Sequence, residues 1–335
     1  MSKVFPYRSA EMEFVACNQC GGSNTELLAR RDRNGLRVTT CICRFCGLIY
    51  LNPRMTAHWY GEYYKSEYRL QMARFKGKRP ETYDPERVFA KATAHGIATA
   101  ARFRSFWQPG ALIEVGSSVG GVLNGLRQTL GCEVFGVEPS PAEAGEANNR
   151  GIRTFESSIE TFRENLPPAG NILCTQSLNH MLDPRRFLQW THAQLSDGGR
   201  LFLEVMNFRH IFKHFGSMQR AIQIDHTYMF VPEVIQPLVE FAGFEVLHLE
   251  ADEEKPPTEL IAKKQRGLPI YHIALVAQRA EKAPFSERAK IRPLYAEVRA
   301  ALAGIPDSRC HYFWRFRIVP KLRKFGIARK VKHQQ

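Results

Sequence analysis

The sequence predicts an α/β protein: an open, mostly parallel sheet with helices on both faces, a cysteine-rich arm before it and a helical, basic extension after it. Three observations carry that prediction. Between residues 111 and 280, short apolar runs alternate with amphipathic segments, the pattern of strand–helix units that cover both faces of a sheet. The first run, ALIEVG, opens into a turn containing Gly116 and Gly120. Two CxxC pairs, Cys17/Cys20 and Cys43/Cys46, lie within the first 50 residues.

Composition divides the chain into a cysteine arm (1–65), a basic and then helical linker (66–110), the alternating region (111–280) and a helical basic extension (281–335). Within the alternating region, ALIEVG is a buried strand followed by the helix GVLNGLRQTL. CEVFGVEPS is the second strand and SPAEAGEANNRG its helix; IRTFESS and NILCTQSLNHML are the third and fourth. DPRRFLQWTHAQL reads as a helix beginning after Asp183-Pro184, and DGGRLFLEVMN as the fifth strand. PEVIQPLVEFAG is a helix, and FEVLHLEA and PIYHIALVAQR are strands joined by a polar loop, DEEKPPTELIAKKQRG. That final pair predicts an antiparallel hairpin at one edge of the sheet.

Bulk properties narrow the function classes. Apolar residues make up 44% and charged residues 24% of the 335, enough for a real core. No stretch approaches the roughly 18 apolar residues of a membrane span. The opening MSKVFPYRSAEMEF lacks the apolar region of a secretory signal, so a cytoplasmic protein is expected. There, clustered cysteines read as metal ligands rather than disulfides. The net charge of +14 points to an anionic partner.

The glycine turn places Glu114, Gly116, Ser117 and Gly120 at a strand end, where small residues let a ligand approach the backbone. Glu138 ends the second strand 22 positions after Gly116, where a carboxylate accepts both ribose hydroxyls of a bound nucleoside. IEVGSSVGGVL, GVEPS, LNHMLDPRRFL, LSDGGRLFLEV and DHTYMFVPEVIQPLVEFAGFEV stand in this order. Together they resemble the core of class I S-adenosylmethionine-dependent methyltransferases. The resemblance implies a Rossmann-like, seven-stranded methyltransferase sheet over 111–280. It departs at Ser118, where glycine is more usual, and at Asn179, where glutamate is common. It further implies that the donor's amino-acid end lies near Glu114–Gly116 and Gln176, that Glu138 with Pro139 lies at the ribose, and that Ser158 and Ile159 flank the adenine.

The four thiolates of Cys17, Cys20, Cys43 and Cys46 form the set for a closed tetrahedral Zn2+, a structural zinc-ribbon arm rather than a catalyst. Cys41 is expected to be a small buried strand residue. The cysteine knuckles, GLIYLNPR and HWYGEYYKSEYR precede the core. That order is similar to methyltransferases acting on sugars, including nucleotide-sugar C-methyltransferases, and implies a small-molecule, nucleotide-linked or lipid-linked sugar acceptor beneath the arm.

Methyl transfer from a sulfonium needs positioning and removal of one acceptor proton. His226, in IDHTYMF, matches the family's acid–histidine segment and is the leading base, with Asp225 and Tyr228 as orienting or proton-shuttling neighbours. His180 is the second candidate, against a structural imidazole. Tyr60, Tyr63 and Tyr64 either line the acceptor site or pack the arm on the core. His192, on an amphipathic helix, is expected at the surface.

From Cys310 onward the chain carries eight Lys or Arg residues, no acid and interleaved aromatics. This tail suits peripheral association with an anionic membrane surface, or a solvated helical face. Two rivals to a sugar methyltransferase are an RNA methyltransferase and a non-catalytic, cofactor-binding scaffold. Against nucleic acid, SLNHMLDP stands where an N/D-P-P-Y motif would follow the fourth strand. Against a scaffold, Glu114, Gly116 and Glu138 are intact.

Overall fold

The computed structural model describes residues 5–75, 84–281, 284–285 and 291–307. The basic tail from residue 308, with Cys310, lies outside the described residues. The arm begins with β1 (Met12–Glu13), β2 (Thr25–Ala29), β3 (Thr40–Cys43), β4 (Ile49–Leu51) and β5 (Arg54–Met55), followed by helices α1 (Ala57–Ser66), α2 (Tyr68–Phe75) and α3 (Pro85–Arg102). The alternating region gives β6 (Ala111–Val115), α4 (Gly121–Leu130), β7 (Val134–Glu138), α5 (Pro141–Asn149), β8 (Thr154–Glu156) and β9 (Ala169–Thr175). It continues through α6 (Pro184–Gln194), β10 (Leu195–Met206), α7 (Phe208–Phe215), α8 (Met218–Ala221), β11 (Tyr228–Met229) and α9 (Pro232–Phe241). β12 (Phe244–Ala251), α10 (Pro257–Gln265), β13 (His272–Arg279) and α11 (Tyr295–Ala303) complete the described elements.

Helix starts follow local chemistry. Asp84, Ser140, Asp183 and Asn207 each accept a hydrogen bond from a backbone amide of the first turn, and proline follows the first three of them. β6 and β7 are buried along their whole length, as parallel strands covered on both faces must be. The seven-stranded sheet runs β12-β13-β10-β9-β6-β7-β8. β6 pairs in parallel with β7 on one side and β9 on the other, so the strand order reverses at β6. The carboxyl ends beside that reversal are where an open α/β sheet leaves a crevice.

The last two strands are antiparallel at one edge of the sheet, as expected, with β12 outermost and β13 pairing with both β12 and β10. Two expectations are corrected. The polar loop before the last strand contains helix α10. His192 is buried, its Nε2 2.9 Å from the Ala280 carbonyl and its ring 5.4 Å from Phe244, because the chain after β13 covers that face of α6. Cys41 is a buried strand residue, as expected.

The arm and the core share strands. β11, from the middle of the core, joins β4, β3 and β2 in a four-stranded sheet, with Tyr228 opposite Tyr50 and Met229 opposite Ile49. Asn18, in the first cysteine knuckle, donates to the α6 cap Asp183 at 2.8 Å and accepts from the Arg185 amide at 2.9 Å. Arg54 is buried and donates to the Leu182 carbonyl at 2.8 Å. α11 closes over the second knuckle, where the Tyr295 amide reaches the Phe45 carbonyl at 3.1 Å.

Helices α3 and α4 cross backbone to backbone at glycines. A β-carbon on Gly125 would stand 2.2 Å from the Thr93 carbonyl oxygen, and one on Gly96 2.2 Å from that of Val122. Gly125→Ala gains about 1 kcal/mol of helix propensity, but forcing a methyl against backbone costs about 1–3 kcal/mol. The steric term wins: urea unfolding should show a net loss of up to about 2 kcal/mol, and a stabilised variant would contradict the packing.

Candidate active site

The glycine turn and its carboxylate assemble as one unit. The Gly116 amide donates to the Val137 carbonyl at 2.7 Å, tying the end of β6 to β7. Glu138 Oε2 accepts from the Ser118 amide at 2.8 Å and Oε1 from the Ser140 amide at 2.9 Å, so the carboxylate spans the turn and the next helix. Ser118 stands at φ 49° and Gly116 at φ 79°. Serine tolerates the left-handed region at a modest cost, whereas a β-carbon on Gly116 would meet Ser177 Oγ at 2.1 Å. Burial pushes both the Glu114 and Glu138 carboxyls up to about 7. Glu114 accepts from the Thr175 hydroxyl through Oε1, and its buried Oε2 has no partner among the described residues.

Gln176, at φ 58°, turns the chain at the end of β9, its amide donating 2.6 Å to the Glu204 carbonyl. Ser177 Oγ then donates to the Gly116 carbonyl at 3.3 Å. Ser158 and Ile159 follow β8; Ile159 is buried and Ser158 Oγ lies 3.1 Å from Thr161 Oγ1. Pro139 is exposed beside Glu138. Glu114, Gly116, Ser117 and Gly120 thus follow β6, Glu138 and Pro139 β7, Ser158 and Ile159 β8, and Gln176 β9, all at the carboxyl edge flanking the strand-order reversal.

A second cluster adjoins this crevice. His180 ends a 3-10 turn directly after Ser177, and its Nδ1 lies 2.9 Å from the Asp225 carbonyl and 3.1 Å from the Tyr64 hydroxyl. Asp225 Oδ2 is 3.5 Å from the same nitrogen and has no hydrogen-bond partner among the described residues. His226 packs edge to face on His180 with ring centres 4.7 Å apart, and its Nδ1 is 3.4 Å from Gln223 Nε2. Burial, with His180 and Arg33 nearby, holds the His226 pKa well below the ordinary histidine range, so the ring is neutral near pH 7.

The backbone under this cluster is fixed from both sides. Thr227 donates to the Met181 carbonyl at 2.6 Å, and its own carbonyl accepts from the Leu51 amide of the arm at 3.0 Å. Asn179 bridges the sheet and β11, accepting from the Met206 amide and donating to the Tyr228 carbonyl, both at 3.2 Å. An amide performs both halves of that bridge, which an ionised carboxylate at this position could not do. Tyr228 uses its hydroxyl at the arm–core seam, donating to Leu182 at 3.3 Å and accepting from Arg54 at 3.2 Å. Tyr60, buried, donates to the Ile224 carbonyl at 3.1 Å, Tyr63 is buried, and Tyr64 reaches His180. Tyr60 and Tyr63 serve packing, and Tyr64 faces the cluster.

The four cysteine sulfurs Cys17, Cys20, Cys43 and Cys46 lie within 4.8 Å of one another. Cys17 and Cys46 are 3.4 Å apart and Cys20 and Cys43 3.5 Å, close to the edge of about 3.8 Å that Zn–S bonds of about 2.3 Å give a tetrahedron. The Gly22 amide points at Cys20 Sγ from 3.4 Å. The cluster is compatible with a closed zinc site.

Sequence reasoning missed Arg33, Asn18 and Arg54, whose partners lie 39 to 174 positions away. Arg54 alone had a local flag, the basic residue ending GLIYLNPR.

A family model described as a methyltransferase domain (Methyltransf_23) matches residues 86–249, a span that includes the crevice at the carboxyl edge and the histidine cluster. No curated protein matches the sequence. Among solved structures, the chain is similar to the plantazolicin methyltransferase BpumL in complex with SAH, at 12% identity and TM-score 0.46, over 66% of this chain and 94% of that one. It is also similar to an S-adenosylmethionine-dependent methyltransferase from Mesorhizobium loti, at 14% identity and TM-score 0.44, over 56% of this chain and all of the other. Among the described residues no helix is long and apolar enough to cross a membrane.

Proposed function

We propose that this S-adenosylmethionine-dependent methyltransferase methylates a sugar or sugar-containing metabolite at carbon or oxygen, with His226 as the base. The observation that carries the reading is the convergence of His180, Asp225 and His226, with His180 three residues past Ser177, which contacts the glycine turn. S-adenosylmethionine, when bound, supplies the electrophilic methyl. In this reading Glu138 accepts the ribose hydroxyls, Ser158 and Ile159 flank the adenine, and Glu114, Gly116 and Gln176 hold the amino-acid end.

On the acceptor side, neutral His226 takes the proton as the acceptor attacks, and the Asp225 carboxylate stabilises the imidazolium that forms. His180, with Tyr64, orients the acceptor. The unpaired Asp225 oxygen and the two imidazoles suit a polyhydroxylated molecule, which is the support for a sugar. Cys17, Cys20, Cys43 and Cys46 hold structural Zn2+ and fix the sheet that β11 joins. Incubation with labelled donor and a panel of free sugars, nucleotide sugars and bulk RNA should label a sugar acceptor. Labelling of RNA alone would overturn the reading.

Donor affinity should depend on pH. Glu138 and Glu114, raised to about 7 by burial, bind the donor as carboxylates, so binding near neutrality releases protons. The sign follows: below pH 7 both are protonated and affinity falls, by up to about tenfold per pH unit for each group. Calorimetry with S-adenosylhomocysteine at pH 6, 7 and 8 should show this decline and a smaller slope in Glu138→Gln. A flat profile would contradict the assignment.

A further inference from the structure

Arg33, on the arm, is buried with 8% of its surface exposed. Its guanidinium lies 4.0 Å over the Phe75 ring, its Nη2 is 2.9 Å from the Met72 thioether, and its Nε has no partner among the described residues. Burying a guanidinium without a hydrogen-bonded anion costs several kcal/mol, and a thioether is a weak acceptor. The side chain is not what ties this segment down. That is done by the backbone, with the Arg33 amide 2.9 Å from the Ile222 carbonyl and the Arg33 carbonyl accepting from Arg220 at 2.8 Å. These bonds dock the arm on the stretch leading from α8 to Asp225 and His226. Burial lowers the Arg33 pKa, and the Asp225 and Asp32 carboxylates oppose that. Among the described residues no carboxylate comes within 4.0 Å of it. Asp32 is turned into its own loop, its Oδ1 accepting from the Asn34 and Leu36 amides, both at 2.9 Å.

We infer that Arg33 is the anchor for an oxyanion, a carboxylate or phosphate group, carried by the methyl acceptor. Its planar fork suits two-point recognition of such a group, and its backbone ties hold it rigidly near the proposed base. Phe75 and Met72 of α2 cover the guanidinium on their side, and its low exposure strengthens its attraction for an anion. This inference rests on the histidine cluster being the acceptor site, and it narrows the acceptor from sugars in general to acidic or phosphorylated ones.

The test is thermal unfolding of the full chain in inorganic phosphate or malonate, at ionic strength fixed with chloride, alongside S-adenosylhomocysteine. At least one oxyanion should raise the Tm of the wild type, and Arg33→Met should lose that shift while keeping the one from S-adenosylhomocysteine. Arg33→Lys, which keeps the charge but not the fork, should need about tenfold more anion for the same shift. A response to phosphate alone assigns a phosphorylated acceptor, to malonate alone a carboxylated one, and to both an oxyanion pocket serving either. No anion response in the wild type, or an equal one in Arg33→Met, overturns the inference. Failure of S-adenosylhomocysteine to stabilise the wild type would instead count against the methyl-donor reading.

Discussion

Replacing His226 with asparagine is expected to lower turnover by about 10²–10⁴-fold while leaving S-adenosylhomocysteine affinity within about twofold of wild type. The two effects separate because the residues proposed to hold the donor follow β6 to β9, whereas His226 stands on the segment entering β11. Asparagine keeps a polar group toward Gln223 and avoids the cavity that alanine would open in a fully enclosed position. The ring is already neutral near pH 7, so the loss reads out proton acceptance rather than a change in resting charge. His180→Asn should cost less, since its Nδ1 is engaged with the Asp225 carbonyl and the Tyr64 hydroxyl and it orients rather than accepts. Unchanged turnover in His226→Asn would remove the base from this account.

Cys43→Ala is expected to lose bound zinc, unfold the arm and abolish turnover, with donor binding retained. A structural zinc site contributes about 10–16 kcal/mol of apparent binding free energy, larger than the stability of most domains. The damage spreads for a structural reason. Cys43 ends β3, β3 pairs with β4, and β4 pairs with β11, whose first residue lies two past His226. Loss of the arm therefore frees the segment carrying Asp225 and His226, while the β6–β9 edge keeps its own bonds. Metal analysis, hydrogen exchange over residues 40–51 and 225–229, and S-adenosylhomocysteine titration would check the three parts. Retained metal and turnover would refute the structural role.

Much of this was legible in the sequence because it rests on local signals. The parallel strands announce themselves as apolar runs, the donor turn as Gly116 and Gly120 followed by Glu138, and the knuckles as two CxxC pairs. What was hidden depends on distant or very short features. β11 is only two residues long, too short for any periodicity, yet it joins the arm to the core. Asn18 meets Asp183 across 165 positions, and nothing near either residue signals the pairing. Gly96 and Gly125 look like weak points in helices until the crossing of α3 and α4 shows that only glycine fits. His192 sits on a helix with a polar rim, and its burial comes from the chain after β13. Arg33 looks like one charge in a basic arm; only the fold shows it enclosed.

The most direct test of the central claim is titration of S-adenosylhomocysteine into the wild type and Glu138→Ala. The account predicts one equivalent bound by the wild type and affinity about a hundredfold weaker in the variant, the loss expected when a carboxylate accepting two hydroxyls is removed. No binding by the wild type, or equal binding by both proteins, would contradict it.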